Sequence, residues 1–150
     1  MKVKGRRAPR AEAPILVVAP HSTFYDALAA LWDDDRRNRE TPYVVSRTEN
    51  LRVPLLGKIL RFAQTVAVSR EDPESRQRAK LEIIRRAESK EEQEEGKGGW
   101  PQLMIFPEGS TSNRRALMTF APGAFNPGKT VQPVVLRSVD FLVWVATKSS

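Results

Sequence analysis

Apolar residues in this chain fall into short runs separated by polar, proline-bearing or glycine-bearing stretches. The first run, Ile15–Ala19 (ILVVA), is unbroken and lies between Pro14 and Pro20, which reads as a short buried strand. Ser22–Trp32 is rich in Ala and Leu and reads as a helix capped by Ser22 or Thr23. Asp33–Thr41 (DDDRRNRET) is a polar loop, and Pro42–Ser46 (PYVVS) is a second strand. Arg52–Phe62 spaces Leu, Ile and Phe helically after Pro54 and predicts a short apolar helix. Thr65–Ser69 (TVAVS) alternates β-branched residues and predicts a third strand. Asp72, Pro73 and Glu74 supply a cap, a first-turn proline and a first-turn acid for a helix running to Glu92, with Ala79, Leu81, Ile84 and Ala87 as its apolar stripe. The EEQEEGKGG run that follows reads as a solvated end. Gln102–Phe106 and Val131–Leu136 are a fourth and fifth strand, and Phe141–Ala146 a sixth; Pro133 belongs at an edge or a bulge. Strands alternating with helices predict an α/β fold, a mixed, mostly parallel sheet flanked by helices, with its active site at strand exits.

Composition narrows the chemistry. A chain of 150 residues with 40% hydrophobic content suits one domain with a real core. It has no cysteine and one histidine, which removes thiol nucleophiles, disulfides and thiolate- or histidine-rich metal centres; no metal site is expected. The net charge of +7 is concentrated at the start, where Lys2, Lys4, Arg6, Arg7 and Arg10 sit without an acid among the first ten residues. Such an arm suits anionic lipid headgroups or nucleic acid, or is simply solvated. No stretch approaches the roughly 18 apolar residues of a transmembrane helix.

The single histidine stands at the end of the first strand, in APHSTFYDAL. His21 and Asp26 are five positions apart. On a helix they would lie about 140° apart, and on a strand they would face opposite ways. They meet only if the chain turns between them, and Pro20 with the capping Ser22-Thr23 supplies a turn. Asp26 in the first helical turn could then accept the Nδ1 proton and leave Nε2 free as a base. That is two-thirds of a serine-hydrolase triad with no G-x-S-x-G nucleophile, so the nucleophile would be a substrate hydroxyl. On spacing alone, a structural histidine is the better reading, and only the surrounding motifs shift it toward a base. FPEGSTSN at 106–113 follows the fourth strand; it can present Glu108, backbone N–H groups and the Ser110, Thr111 and Ser112 hydroxyls to a polar or phosphate-bearing headgroup. It can also be a helix-start cap. Arg70, after the third strand, can bind phosphate bidentately, although among 17 arginines a plain surface residue is the simpler reading.

HSTFYD at 21–26, VAVSR at 66–70, FPEGS at 106–110 and VQPVV at 131–135 occur in the order of the four blocks of the PlsC-type glycerolipid acyltransferases, and the chain resembles that family over residues 2–137. Within it, APHS, VSRTENLRVPLLGKILRF and EGSTSN with FAPGAF resemble the lysophosphatidylcholine and lysophosphatidylethanolamine acyltransferases. The resemblance implies a glycerol-3-phosphate acyltransferase-like fold, divided into a basic N-terminal arm at 1–13, an acyltransferase domain at 14–137, and a C-terminal strand or tail at 138–150 that is truncated or altered. It implies an acyl-CoA donor, a lysophospholipid acceptor, a membrane surface as partner and no cofactor. His21 would be the base and Asp26 its orienter. Arg70, Glu108, Gly109, Ser110 and Thr111 would form the substrate-binding set, with donors at 109–111 for an oxyanion. It further implies a full-length protein at the endoplasmic reticulum membrane, its catalytic domain facing the cytosol. The chain departs from the pattern at Thr111, where many relatives have Arg, and at Ala121, where Lys is common; Arg114 is the candidate substitute cation. A non-catalytic lipid-binding or acyl-CoA-binding relative is the main alternative. A nucleic-acid module lacks interleaved aromatics and any motif, and no nucleic acid is expected.

Overall fold

The computed structural model describes residues 5–23, 26–27, 41–89, 100–113, 115–116 and 118–136. Five parallel strands form one sheet: β1 (Ile15–Ala19), β2 (Tyr43–Arg47), β3 (Val66–Val68), β4 (Leu103–Ile105) and β5 (Val131–Val135). Their order across the sheet is β3-β2-β4-β1-β5. All five were legible in the sequence, each displaced by at most a residue or two. The sixth strand and most of the first helix lie outside the described residues; of that helix, Asp26 and Ala27 are described and are helical. Pro133 sits in β5, at the sheet's edge, as its missing N–H requires.

Strand β1 is buried on both faces, and this explains its unbroken run. Ile15 and Val17 join Val66, Leu103 and Ile105 in one core cluster. Leu16 and Val18 join Met104 and Phe106 in the other. Helix α2 (Pro73–Glu88) covers the first face. It starts as expected: the Asp72 carboxylate accepts from the Glu74 N–H at 2.9 Å, and Pro73 occupies the first turn. Its buried stripe differs from the expected one. Ala79, Ile83 and Ala87, spaced by four, face the sheet, whereas Leu81 is exposed and Ile84 only half-buried. Two residues past Ala79 is about 200° around the helix, so Leu81 cannot share its face.

The helix also ends earlier than expected, at Glu88, for a reason that lies in the N-terminal arm. The Arg10 guanidinium is buried and donates to the Arg86 and Ser89 carbonyls at 2.8 and 2.7 Å, capping the helix with a cation where one is favoured. Arg7 donates to the Gln102 side chain, whose amide in turn donates to the Ala8 and Ala13 carbonyls at 3.0 and 2.7 Å. The free basic arm read from the sequence is thereby corrected at Arg7 and Arg10, which are part of the packed fold.

Between β2 and β3 the chain makes a 3-10 turn (Thr48–Arg52) and helix α1 (Leu56–Phe62), the latter after Pro54 as the sequence indicated. Gly57 is buried here, and a methyl group added to it would overlap the Leu51 carbonyl. Gly57→Ala normally gains helix propensity. Here it is expected to lower stability by about 1–2 kcal/mol, because overpacking outweighs that gain. The midpoint of urea unfolding measures this.

Candidate functional site

A parallel sheet brings all its strand ends to one edge. Four of these exits carry the candidate chemistry: His21 after β1, Arg47 at the end of β2, Arg70 after β3 and Glu108 after β4. The chain leaves β1 toward β2 on one side and leaves β4 toward β5 on the other, while β1 and β4 lie side by side. That is the switch point at which open α/β sheets bind ligands. Residues far apart in sequence, His21 and Glu108, become neighbours there for a topological reason.

His21 is held from several directions. Its ring stacks on Phe106 with centroids 4.1 Å apart and 25° between planes. Its backbone N–H donates to Glu108 Oε2 at 2.9 Å, and its carbonyl accepts from the Ser112 N–H at 2.8 Å. The expected turn to Asp26 is present: the Asp26 N–H donates to the Thr23 carbonyl at 3.1 Å. Asp26 Oδ2 accepts from the Ser22 and Thr23 N–H groups at 2.5 and 2.7 Å and from the Ser22 hydroxyl at 3.2 Å. His21 Nδ1 lies 3.4 Å from that same oxygen. Nδ1 is buried and makes no hydrogen bond, so the contact is an ion-pair distance out of line for hydrogen bonding. Catalytic hydrogen bonds are often long in unliganded enzymes and tighten with substrate. Nε2 makes no hydrogen bond among the described residues.

Asp26 is buried, and burial pushes its carboxyl up. The hydrogen bonds from Thr23 and Ser22, with the His21 ring beside it, outweigh that and hold the carboxyl below its usual 3.8. An anion therefore faces the buried ring nitrogen at neutral pH.

The Glu108-Gly109-Ser110 turn is where the arginines converge. Arg70 Nη2 donates to the Gly109 carbonyl. Arg47 donates to the same carbonyl from Nε and Nη2 at 3.4 and 3.3 Å, and to Ser110 Oγ at 3.1 Å. Gly109 has φ +61°, the left-handed region that favours glycine; a Cβ there would come within 2.8 Å of Arg70 Nη2, the tip of a flexible side chain that can swing aside. One expectation is corrected at the same residue. The Gly109 N–H closes the turn onto the Phe106 carbonyl at 3.0 Å and is not free for an oxyanion. The N–H groups of Ser110 and Thr111 make no hydrogen bond among the described residues. Thr111 is exposed, and Arg114 lies outside the described residues.

Arg47 is the site residue that sequence reasoning missed. The signal was available: an arginine closing the strand PYVVSR is in the same position as Arg70 after TVAVS. A cavity of about 300 Å³, lined by Arg10, Glu12, Pro14, Ala87, Lys129 and Thr130, lies where β1 and β5 begin, at the opposite edge from His21.

Residues 1–137 match the family described as Acyltransferase. The chain is 50% identical over 147 residues to Lysophospholipid acyltransferase LPCAT4 of Mus musculus, covering 96% of this chain and 26% of that protein. It is 48% identical over 147 residues to Lysophosphatidylcholine acyltransferase 2B of Rattus norvegicus, with the same coverage. It is 48% identical over 145 residues to Lysophosphatidylcholine acyltransferase 2 of Homo sapiens, covering 95% of this chain and 24% of that one. The chain thus spans about a quarter of the length of these relatives. No solved structure matches it.

Proposed function

The chain belongs to the acyltransferase family, and from that membership we propose that it moves an acyl group from acyl-CoA to the free glycerol hydroxyl of a lysophospholipid. Lysophosphatidylcholine and lysophosphatidylethanolamine are the acceptors in view, and the products are a diacyl phospholipid and CoA. The observation that carries this reading is the His21 ring at the switch point, with Nδ1 beside the Asp26 carboxylate and Nε2 without a hydrogen-bond partner among the described residues.

His21 Nε2 takes the proton of the glycerol hydroxyl as its oxygen attacks the thioester carbonyl. Asp26 fixes the ring tautomer and stabilises the imidazolium that forms. The N–H groups of Ser110 and Thr111 steady the negative charge on the thioester oxygen. When the C–S bond breaks, the proton passes from His21 to the departing thiolate. The balance is one acyl group and one proton, and it calls for no cofactor. Arg70 and Arg47 supply cations for the acceptor phosphate, and Glu108 and Gly109 shape the acceptor pocket. Two arginines at this edge also answer the missing cations at Thr111 and Ala121, which are what favour a non-catalytic relative. The chemistry belongs at a bilayer surface, on the cytosolic side of the endoplasmic reticulum in a full-length protein, because acceptor and product are both bilayer lipids.

The test is CoA release from acyl-CoA in the presence of lysophosphatidylcholine, lysophosphatidylethanolamine or a fully acylated phosphatidylcholine. Release that requires the free hydroxyl and yields the diacyl lipid is expected. Thioester cleavage at the same rate without a hydroxyl acceptor would make the protein a hydrolase. Binding of either substrate without turnover would support the non-catalytic relative.

A further inference from the structure

Helix α1 turns its apolar side outward. Leu55, Ile59 and Phe62 recur at i, i+4 and i+7, which is one face of a helix, and they are 71%, 53% and 92% exposed. Val53, on the preceding loop, is exposed as well. The inward side is taken by the buried Gly57 and the half-buried Leu56 and Leu60. Cations flank the exposed stripe: Arg52 precedes it, Lys58 adjoins it, and Arg61 stands on the far flank, its Nη2 donating to the Leu51 carbonyl at 3.3 Å; no Asp or Glu occurs between Glu49 and Glu71.

The backbone marks the same place. Leu55 has φ 65° and ψ −57°, and the Leu56 N–H donates to the Pro54 carbonyl at 2.7 Å. This is the rare positive-φ γ-turn, and for a residue with a side chain it stores on the order of 1–3 kcal/mol. Glycine would relieve it. The chain instead holds a leucine there, pointing into solvent.

We propose that Val53, Leu55, Ile59 and Phe62, together with Arg52, Lys58 and Arg61, form a docking surface for an anionic lipid bilayer. The apolar side chains enter the boundary between headgroups and acyl chains, and the cations meet the lipid phosphates. A bilayer fits better than a protein partner, because the centres of protein interfaces are depleted in Lys, whereas here Lys58 adjoins the stripe. The surface begins beside the site: Arg47, whose guanidinium lies on Ser110, also starts the turn that leads into it. Its purpose, presenting bilayer acceptors to His21, rests on the proposed acyl transfer; the binding itself does not.

The experiment is partitioning of the whole chain onto vesicles of phosphatidylcholine, alone or mixed with phosphatidylserine. The protein is expected to prefer the mixed vesicles. Replacing Arg52, Lys58 and Arg61 together by Gln should weaken that binding about a hundredfold, at roughly fivefold per cation. Leu55→Gly with Phe62→Ser should weaken it by about tenfold or more while leaving thermal stability unchanged or raised, since the strain goes with the side chain. Leu81→Ser, also exposed but on α2, should change nothing. The Arg52/Lys58/Arg61 and Leu55/Phe62 variants should acylate detergent-dispersed lysophospholipid like the parent and fail on vesicles. His21→Ala should bind vesicles like the parent and acylate neither acceptor; if it acylates normally, the reaction assigned above fails while the surface stands. The surface is overturned if the parent shows no preference for phosphatidylserine or if the α1 variants partition as the parent does. It is overturned equally if those variants abolish self-association rather than vesicle binding.

Discussion

His21→Ala is expected to reduce acyl transfer by about 10²–10⁴, the worth of a positioned general base, with little change in stability. The fold does not depend on this ring as it depends on the core residues around it. Its backbone N–H and carbonyl make the bonds to Glu108 and Ser112, and alanine keeps both. What alanine loses is the stacking on Phe106 and the nitrogen that takes the proton. The measurement is the initial rate of CoA release beside the unfolding midpoint. Loss of rate with the midpoint retained is the expected pair. A rate within a few-fold of the parent would remove His21 from the chemistry and leave it a packing residue.

Asp26→Asn should separate two roles that one carboxylate now combines. Its Oδ2 accepts from two backbone N–H groups and a hydroxyl, which holds the turn, and it is also the charge facing His21. An asparagine carbonyl can take over the first role, so the fold should lose only about 1 kcal/mol, the difference between charged and neutral acceptors. The charge disappears, and the rate should fall on the order of 10²–10³ as the imidazolium goes unstabilised. Asp26→Ala should lose both. The pH dependence gives an independent check. Because the folded carboxyl lies below 3.8, its contribution to stability is complete above that pH and is lost as pH falls through the folded value. The melting difference between parent and Asp26→Asn should therefore be constant near neutrality and shrink under acid. A constant difference down to low pH would mean that Asp26 is not the ionised cap described above.

The sequence was most legible where one physical constraint dominated. A strand buried on both faces has to be apolar throughout, so ILVVA announced itself. Asp72-Pro73-Glu74 announced a helix start by its own local chemistry. Asp26 was legible as a partner of His21 because five residues of spacing forced a turn. What could not be read was set by contacts distant in sequence. Nothing local distinguishes Arg10 from a solvated arm residue; its burial depends on where α2 ends, on another part of the chain. The stripe on α2 was read rightly at Ala79 and Ala87 but misread between them, where Leu81 and Ile84 were assigned to it and Ile83 was missed, because composition outweighed angle. The Gly109 N–H looked available because glycine-rich turns often leave donors free, yet this one closes on Phe106. Arg47 escaped notice because its significance comes from β2 lying next to β4, an adjacency invisible until the strand order is known.

The Gly109 carbonyl has a thermodynamic consequence. It engages the guanidiniums of Arg47, which ends β2, and Arg70, which follows β3, so both side chains have given up rotamer freedom during folding. A phosphate docking there exchanges one acceptor for another and need not freeze two flexible side chains. Binding should consequently be weak in enthalpy, since a hydrogen bond is released for each one formed, and light in ordering entropy. Under the proposed acyl transfer, such a site would turn over easily: the acceptor's headgroup would enter and the product's leave by the same exchange, with the carbonyl keeping the arginines in register between cycles.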